Sequence, residues 1–324
     1  MKKSFSFLLA LLLLATLACR SREQESTASG RVQGTITISG AFALYPMTLK
    51  WAEEFRKVYP QVKIDVAAGG AGKGIADVLA GVVDIGMVSR EIHPTEIEKG
   101  AWWVAVTKDA VVPVFNENNP LGQDILARGL KREVLRDIFI TGKMVLWQPA
   151  LGLSGSTPLH VYTRSDSCGA AEIWALFLGG KQEDLQGIGV YSDPGLAEAV
   201  RQDNLAIGFN NINYAFDATT LKPVAGIRVL PIDLDGNGVI DPAEDFYQHR
   251  DTMVRAIAEG RYPSPPSRDL HFVFKGCPTD TLILAFLRWV LDDGQKYVAE
   301  SGYIAIASDR LQESLKRLGQ TGGN

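Results

Sequence analysis

The stretch AAGGAGKGIADVLAGVVDIGMVSR, Ala67–Arg90, decides the fold. It opens on a glycine-rich turn, Gly69–Gly74. A helical pattern follows, with Ile75, Val78, Leu79 and Val82 on one face. It closes on a short apolar strand, Val83–Met87, and then Ser89-Arg90. A glycine turn feeding a helix leaves backbone N–H groups unpaired at the helix start. Those donors, at the positive end of the helix dipole, form a ready anion site. Gly70, Ala71 and Gly72 are therefore candidate ligand residues. Asp84 is the one carboxylate in the strand. It would repel a fully ionised anion and accept a hydrogen bond from a protonated one, which makes it the candidate acceptor. The plainer alternative is a helix–strand unit whose glycines only permit tight packing.

Working outward, the same pattern precedes this stretch. Gly34–Ser39 alternates like a strand and runs into Gly40–Pro46. A helix is expected from about Met47 to Tyr59, with Leu49, Ala52, Phe55 and Val58 inward and Pro60 as its stop. Val62–Val66 is the next strand. Two strand–turn–helix units in succession point to an α/β fold with a largely parallel sheet. Ligands of such sheets sit at the strand carboxyl ends. Ala110–Asn116 reads as a further strand and Asn116–Asn119 as a crossing. His160–Thr163 leads through Arg164–Ala170 into a helix over Ala171–Leu178. Arg164 can grip an oxyanion with two parallel hydrogen bonds.

The length of 324 residues, 46% of them hydrophobic, suffices for one large or two medium cores. A formal net charge of −4 with no basic stripe argues against nucleic-acid binding. Lys2-Lys3 followed by the apolar run Phe5–Leu17 reads as an export signal over 1–19, too short to span a membrane comfortably. Cys19 after Ala18 resembles a lipobox, in which the cysteine is lipidated, although Thr16 stands where Leu is usual. The polar segment 20–32 suits a tether. Export permits a disulfide, but spacing does not say whether Cys168 meets Cys277.

The motifs in their order resemble the phosphate-binding proteins of bacterial ABC transporters, within the bilobed periplasmic solute-binding superfamily. The matching runs are SGAFALYP at Ser39–Pro46, GGAGKGI at Gly69–Ile75, DIGMVSR at Asp84–Arg90, the Arg164–Ala170 loop, and GQKYVAESGYI at Gly294–Ile304. The resemblance implies two α/β lobes, with lobe 1 formed by 33–115 and 225–320 and lobe 2 by 116–224. The crossings would lie near Asn116 and Val224–Val229. It implies an anion held in the cleft by Ala41, Phe42, Ala43, Gly70, Ala71, Gly72, Asp84, Ser89, Arg90, Arg164, Ser167, Cys168, Gly169 and Ala170. Asp84 would be the acceptor and Arg164 the clamp, facing each other. Ala41, Ala43 and Ala71 stand where the family usually has hydroxyls, as does Cys168-Gly169-Ala170 where Ser-Gly-Thr is common. A lost hydroxyl donor costs a buried ligand about 1 kcal/mol net, so the identity of the anion stays open.

Asp233–Glu244 (DLDGNGVIDPAE) fits the twelve-residue EF-hand loop. Oxygen donors stand at positions 1, 3 and 5, glycine at 6, an apolar residue at 8, Asp at 9 and Glu at 12. Calcium needs six to eight oxygens, which this spacing supplies. The expected ligands are Asp233, Asp235, Asn237, Asp241, Glu244 and the Val239 carbonyl, in a structural role.

The expectation is thus an exported, lipid-anchored monomer. It would capture an inorganic oxyanion, phosphate foremost, and pass it to an ABC transporter permease. The alternatives are a binder of another anion such as an organic carboxylate, and a thiol enzyme using Cys168. Against the enzyme, none of the four histidines lies within seven residues of Cys168.

Overall fold

The computed structural model describes residues 32–319. The expected export signal, Cys19 and nearly all of the expected tether lie outside the described residues. Strands β1 (Gly34–Gly40) and β2 (Val62–Ala68) are parallel, and β1 also pairs in parallel with β3 (Ile85–Val88). Beyond β3 come β9 (Ser267–Lys275) and the sixteen-residue β4 (Ala101–Asn116), both antiparallel to their neighbours. The far end of β4 pairs with β7 (Ala206–Asn211) and β8 (Ile227–Val229). Then β5 (His160–Arg164) and β6 (Ile188–Val190) complete the order β2-β1-β3-β9-β4-β7-β5-β6. Eight helices of eight residues or more flank these strands among the described residues. They are α1 (Tyr45–Val58), α2 (Ala71–Ala80), α3 (Arg132–Phe139), α4 (Gly169–Phe177), α5 (Asp193–Gln202), α6 (Arg250–Ala258), α7 (Thr281–Leu291) and α8 (Ser308–Gly319).

The side chains gather into two cores, as in a two-lobed α/β binding protein. The first holds Ile36, Trp51, Phe55, Val106, Leu270, Phe272 and Tyr303. The second holds Ala110, Phe115, Trp147, Trp174, Phe209, Ile232, Tyr247 and Tyr262. The chain therefore leaves the first core on β4 between Val106 and Ala110. It returns between Tyr262 and Leu270, where Asp109 stands opposite Arg268 in the β4–β9 ladder. This corrects the expected crossings at Asn116 and Val224–Val229. One strand runs unbroken through both halves, and its apolar end pairs Val114 with Val229, which keeps 227–262 in the second half. The 233–244 loop belongs there too.

Two helix faces also differ from the periodic reading. Helix α1 turns Met47, Trp51, Ala52 and Phe55 inward, with Trp51 Nε1 donating to Gly294 O at 2.8 Å. Leu49 and Val58 are 42% and 49% exposed. Helix α2 stops at Ala80 because Gly81 takes the left-handed φ of +72°. Val82 therefore lies past the helix and is 67% exposed.

Candidate functional site

The carboxyl ends of β1, β2, β3 and β5 meet at one place. Gly69 N and Gly70 N donate to Gly40 O at 2.8 and 3.1 Å, and Ala41 N donates to Met87 O at 2.9 Å. These bonds gather Gly40–Ala43, Gly69–Gly72 and Ser89. From the second half, Ser167 O accepts from Gly72 N at 3.4 Å. A Cβ on Gly169 would overlap the Ser89 carbonyl oxygen, so only glycine allows the α4 start to come this close. Arg164 lies over the Phe42 ring at 5.8 Å, and Tyr214 OH donates to Phe42 O at 3.1 Å. The two halves are in contact around these loops.

Helix α2 starts after Gly70 and α4 after Cys168, and neither has a side-chain cap. Their first turns thus aim N–H groups without side-chain caps at the meeting point, Gly72 N being shared with Ser167 O. Of the sequence candidates, Ala41, Phe42, Ala43, Gly70, Ala71, Gly72, Ser89, Arg164, Ser167, Cys168, Gly169 and Ala170 are brought together.

Asp84 is not. It is exposed, and its Oδ2 accepts from Thr37 N at 2.8 Å and Thr37 Oγ1 at 2.7 Å. It also lines a shallow pocket with Lys275, Gly276 and Cys277. It precedes β3, whereas Ser89 follows it. At about 3.3 Å per residue the two stand roughly 16 Å apart. Asp84 and Arg164 therefore do not face each other. Arg90 reaches the right strand end but spends its guanidinium elsewhere. It pairs with Glu96 at 2.7 Å and, across to α4, with Glu172 at 3.1 Å.

Arg164 is held by two carboxylates that the sequence reading did not single out. Its Nε and Nη2 donate to Asp166 at 2.8 and 2.7 Å, and Nη1 donates to Asp193 Oδ2 at 2.7 Å. Burial opposes its charge, yet Asp193 and Asp166 outweigh that and raise its pKa above the ordinary value. The chain of contacts continues. Asn211 Nδ2 donates to Asp193 Oδ1 at 2.6 Å, Arg268 donates to Asn211 Oδ1, and Arg268 Nη1 donates to Gly169 O at 3.1 Å. Arg268 Nε is 3.1 Å from Asp109 Oδ1, a buried ion pair. Burial pushes the Asp109 carboxyl up to about 6, against the pull of Arg268. Sequence signals for these residues existed: Asp193 before Pro194 at a helix start, the Asn210-Asn211 end of an apolar strand, and Arg268 after a proline-rich break.

Three of the five Arg164 N–H donors are engaged by these carboxylates, which leaves two for a ligand. The pairings give the cluster no net positive charge. Attraction of an anion then rests on those donors and the helix starts. Burial pushes the Cys168 thiol up to about 12, although Arg164 pulls it down. A nucleophilic thiol needs the opposite shift.

A family model described as "PBP superfamily domain" matches residues 25–294. The chain belongs to that superfamily. Its relatives include the phosphate-binding protein PstS of Bacillus subtilis, 28% identical over 94% of each chain. The PstS of Xylella fastidiosa is 25% identical over 89% of this chain and 85% of its own. Among solved structures, a Clostridium perfringens protein assigned as a phosphate ABC transporter substrate-binding protein, with phosphate bound, superposes with a TM-score of 0.69. It shares 23% identity over 85% of this chain and all of its own, and this likeness speaks for the fold.

Proposed function

We propose that this protein is an extracytoplasmic solute-binding protein that captures phosphate between its two halves and delivers it to an ABC transporter permease. The observation that carries the reading is the meeting of two uncapped helix starts with the buried Arg164 at the strand carboxyl ends. The relatives named phosphate-binding protein support the choice of ligand. The raised thiol pKa of Cys168 favours a binder over an enzyme.

The acceptor role expected of Asp84 passes in this reading to Asp166. Both Asp193 oxygens are engaged, by Arg164 and by Asn211. Asp166 Oδ2 has Arg164 on one side and faces the Gly70 turn on the other. A second lone pair there can accept a proton-bearing phosphate oxygen and repel sulfate. Thermal shift of the purified protein against phosphate, arsenate, sulfate and small carboxylates tests the reading. A ligand at about 100 times its dissociation constant adds about 2.7 kcal/mol. Stabilisation by carboxylates alone would favour the organic-anion alternative. The leader and Cys19 support export and a lipid anchor. Cys19→Ser should move the protein from the membrane to the soluble fraction, and unchanged membrane retention would reject the anchor.

A further inference from the structure

We propose that loop 233–244, in the second half of the molecule, is a calcium site that fastens the connection from β8 to α6. The loop is fixed at both ends before any ion is considered. Leu130 N donates to Pro231 O at 3.0 Å, Asp233 N to Leu130 O at 3.1 Å, and Ile240 N to Ala127 O at 2.8 Å. Gly236 and Gly238, at φ of +76° and +84°, turn the chain back on itself.

Within this frame the carboxylates of Asp233, Asp235 and Glu244 converge, each placing an oxygen within 4.8 Å of the others. Asp233 and Glu244 are only 4% and 7% exposed. Glu244 reaches back to the loop start, where Oε1 accepts from Leu234 N at 2.8 Å and Asp235 N at 3.2 Å. Its Oε2 is buried with no hydrogen-bond partner among the described residues. A buried carboxylate oxygen left unpaired beside two more carboxylates is unfavourable. The nearby ammonium, Lys131 Nζ, donates to the Gly236 carbonyl and makes no ion pair with these carboxylates among the described residues. A cation among the three carboxylates removes the conflict.

Oxygen donors alone select a hard cation, and a many-oxygen set on a loop suits calcium over magnesium, which demands octahedral geometry and keeps its waters. Asn237 Nδ2 lies 2.9 Å from Asp235 Oδ2 and 3.3 Å from Asp241 Oδ2, so both side chains border the same space. With calcium bound, the Asn237 amide turns its oxygen inward, and the Val239 carbonyl completes the set.

Isothermal titration of the purified protein with calcium chloride in phosphate-free buffer, with melting curves in calcium, magnesium and chelator, tests the site. The expected result is one calcium per chain, a melting temperature raised by calcium more than by equal magnesium, and loss of that rise in chelator. Glu244→Gln keeps an oxygen for Leu234 N and Asp235 N. It should weaken calcium binding by more than about tenfold without lowering the metal-free melting temperature, which should rise as the carboxylate conflict is relieved. Should that variant fail to fold, the exposed Asp235→Asn reads the same loss. No binding up to about 10 mM calcium, an equal response to magnesium, or undiminished binding by the variants would overturn the proposal.

Discussion

Asp84 shows what a single residue can hide. In sequence it stands five positions before Ser89 in one motif. Nothing in the local pattern tells the start of a short strand from its end, and β3 separates the two. Asp84→Asn should therefore leave the preference for phosphate over sulfate unchanged. It should cost less than about 1 kcal/mol, since the two exposed hydrogen bonds from Thr37 can still be accepted by the amide oxygen. Asp166→Asn should instead bring sulfate affinity towards that of phosphate. Competition titrations of both variants check this pair, and a relaxed preference in Asp84→Asn alone would reverse the assignment. Arg164 was legible from its place before a helix start. Its partner Asp193 was not, because it lies twenty-nine residues downstream and only the parallel β5–β6 pairing brings it near.

At the scale of elements, the strand–turn–helix units were legible because turns, caps and proline stops are local. Which face of a helix turns inward was less so. In α1 the apolar set Leu49, Ala52, Phe55, Val58 competes with Met47, Trp51, Ala52, Phe55, and the bond from Trp51 to Gly294 settles the rotation. Phe55 belongs to both sets and packs edge-on to Phe286 at 5.1 Å. Phe55→Ala should cost about 3–5 kcal/mol in chemical denaturation, and a loss below 1 kcal/mol would contradict this core. The paired crossing strands carry a pH signature. Asp109 on β4 titrates at about 6 in the folded protein against an ordinary 3.8. The folded state thus binds the extra proton between these values, and the contribution of Asp109 to stability falls as pH rises from about 4 to about 6. Asp109→Asn should flatten the melting temperature over that window. An unchanged slope would place the titration elsewhere.

For the whole molecule, the two-lobed architecture was legible only through the family resemblance that the motifs carry. The crossings were not, because a strand that runs through two cores looks the same in sequence as one that ends in the first. The contact between halves rests on a few close approaches. Gly169 against Ser89 leaves no room for a methyl group, while Arg90 joins Glu96 of one half to Glu172 of the other. Gly169→Ala should fold normally yet hold the two halves further apart. Its small-angle scattering should give a larger radius of gyration than the parent's under the same conditions, and an equal radius would contradict the contact.

The central claim is that the meeting point of the helix starts and Arg164 binds phosphate. Isothermal titration of phosphate-stripped protein tests it most directly. The account predicts one phosphate per chain, with sulfate at least about tenfold weaker, since a charge-assisted hydrogen bond of about 1.5–3 kcal/mol is lost with the proton. Absence of binding by phosphate, arsenate and sulfate alike would contradict it.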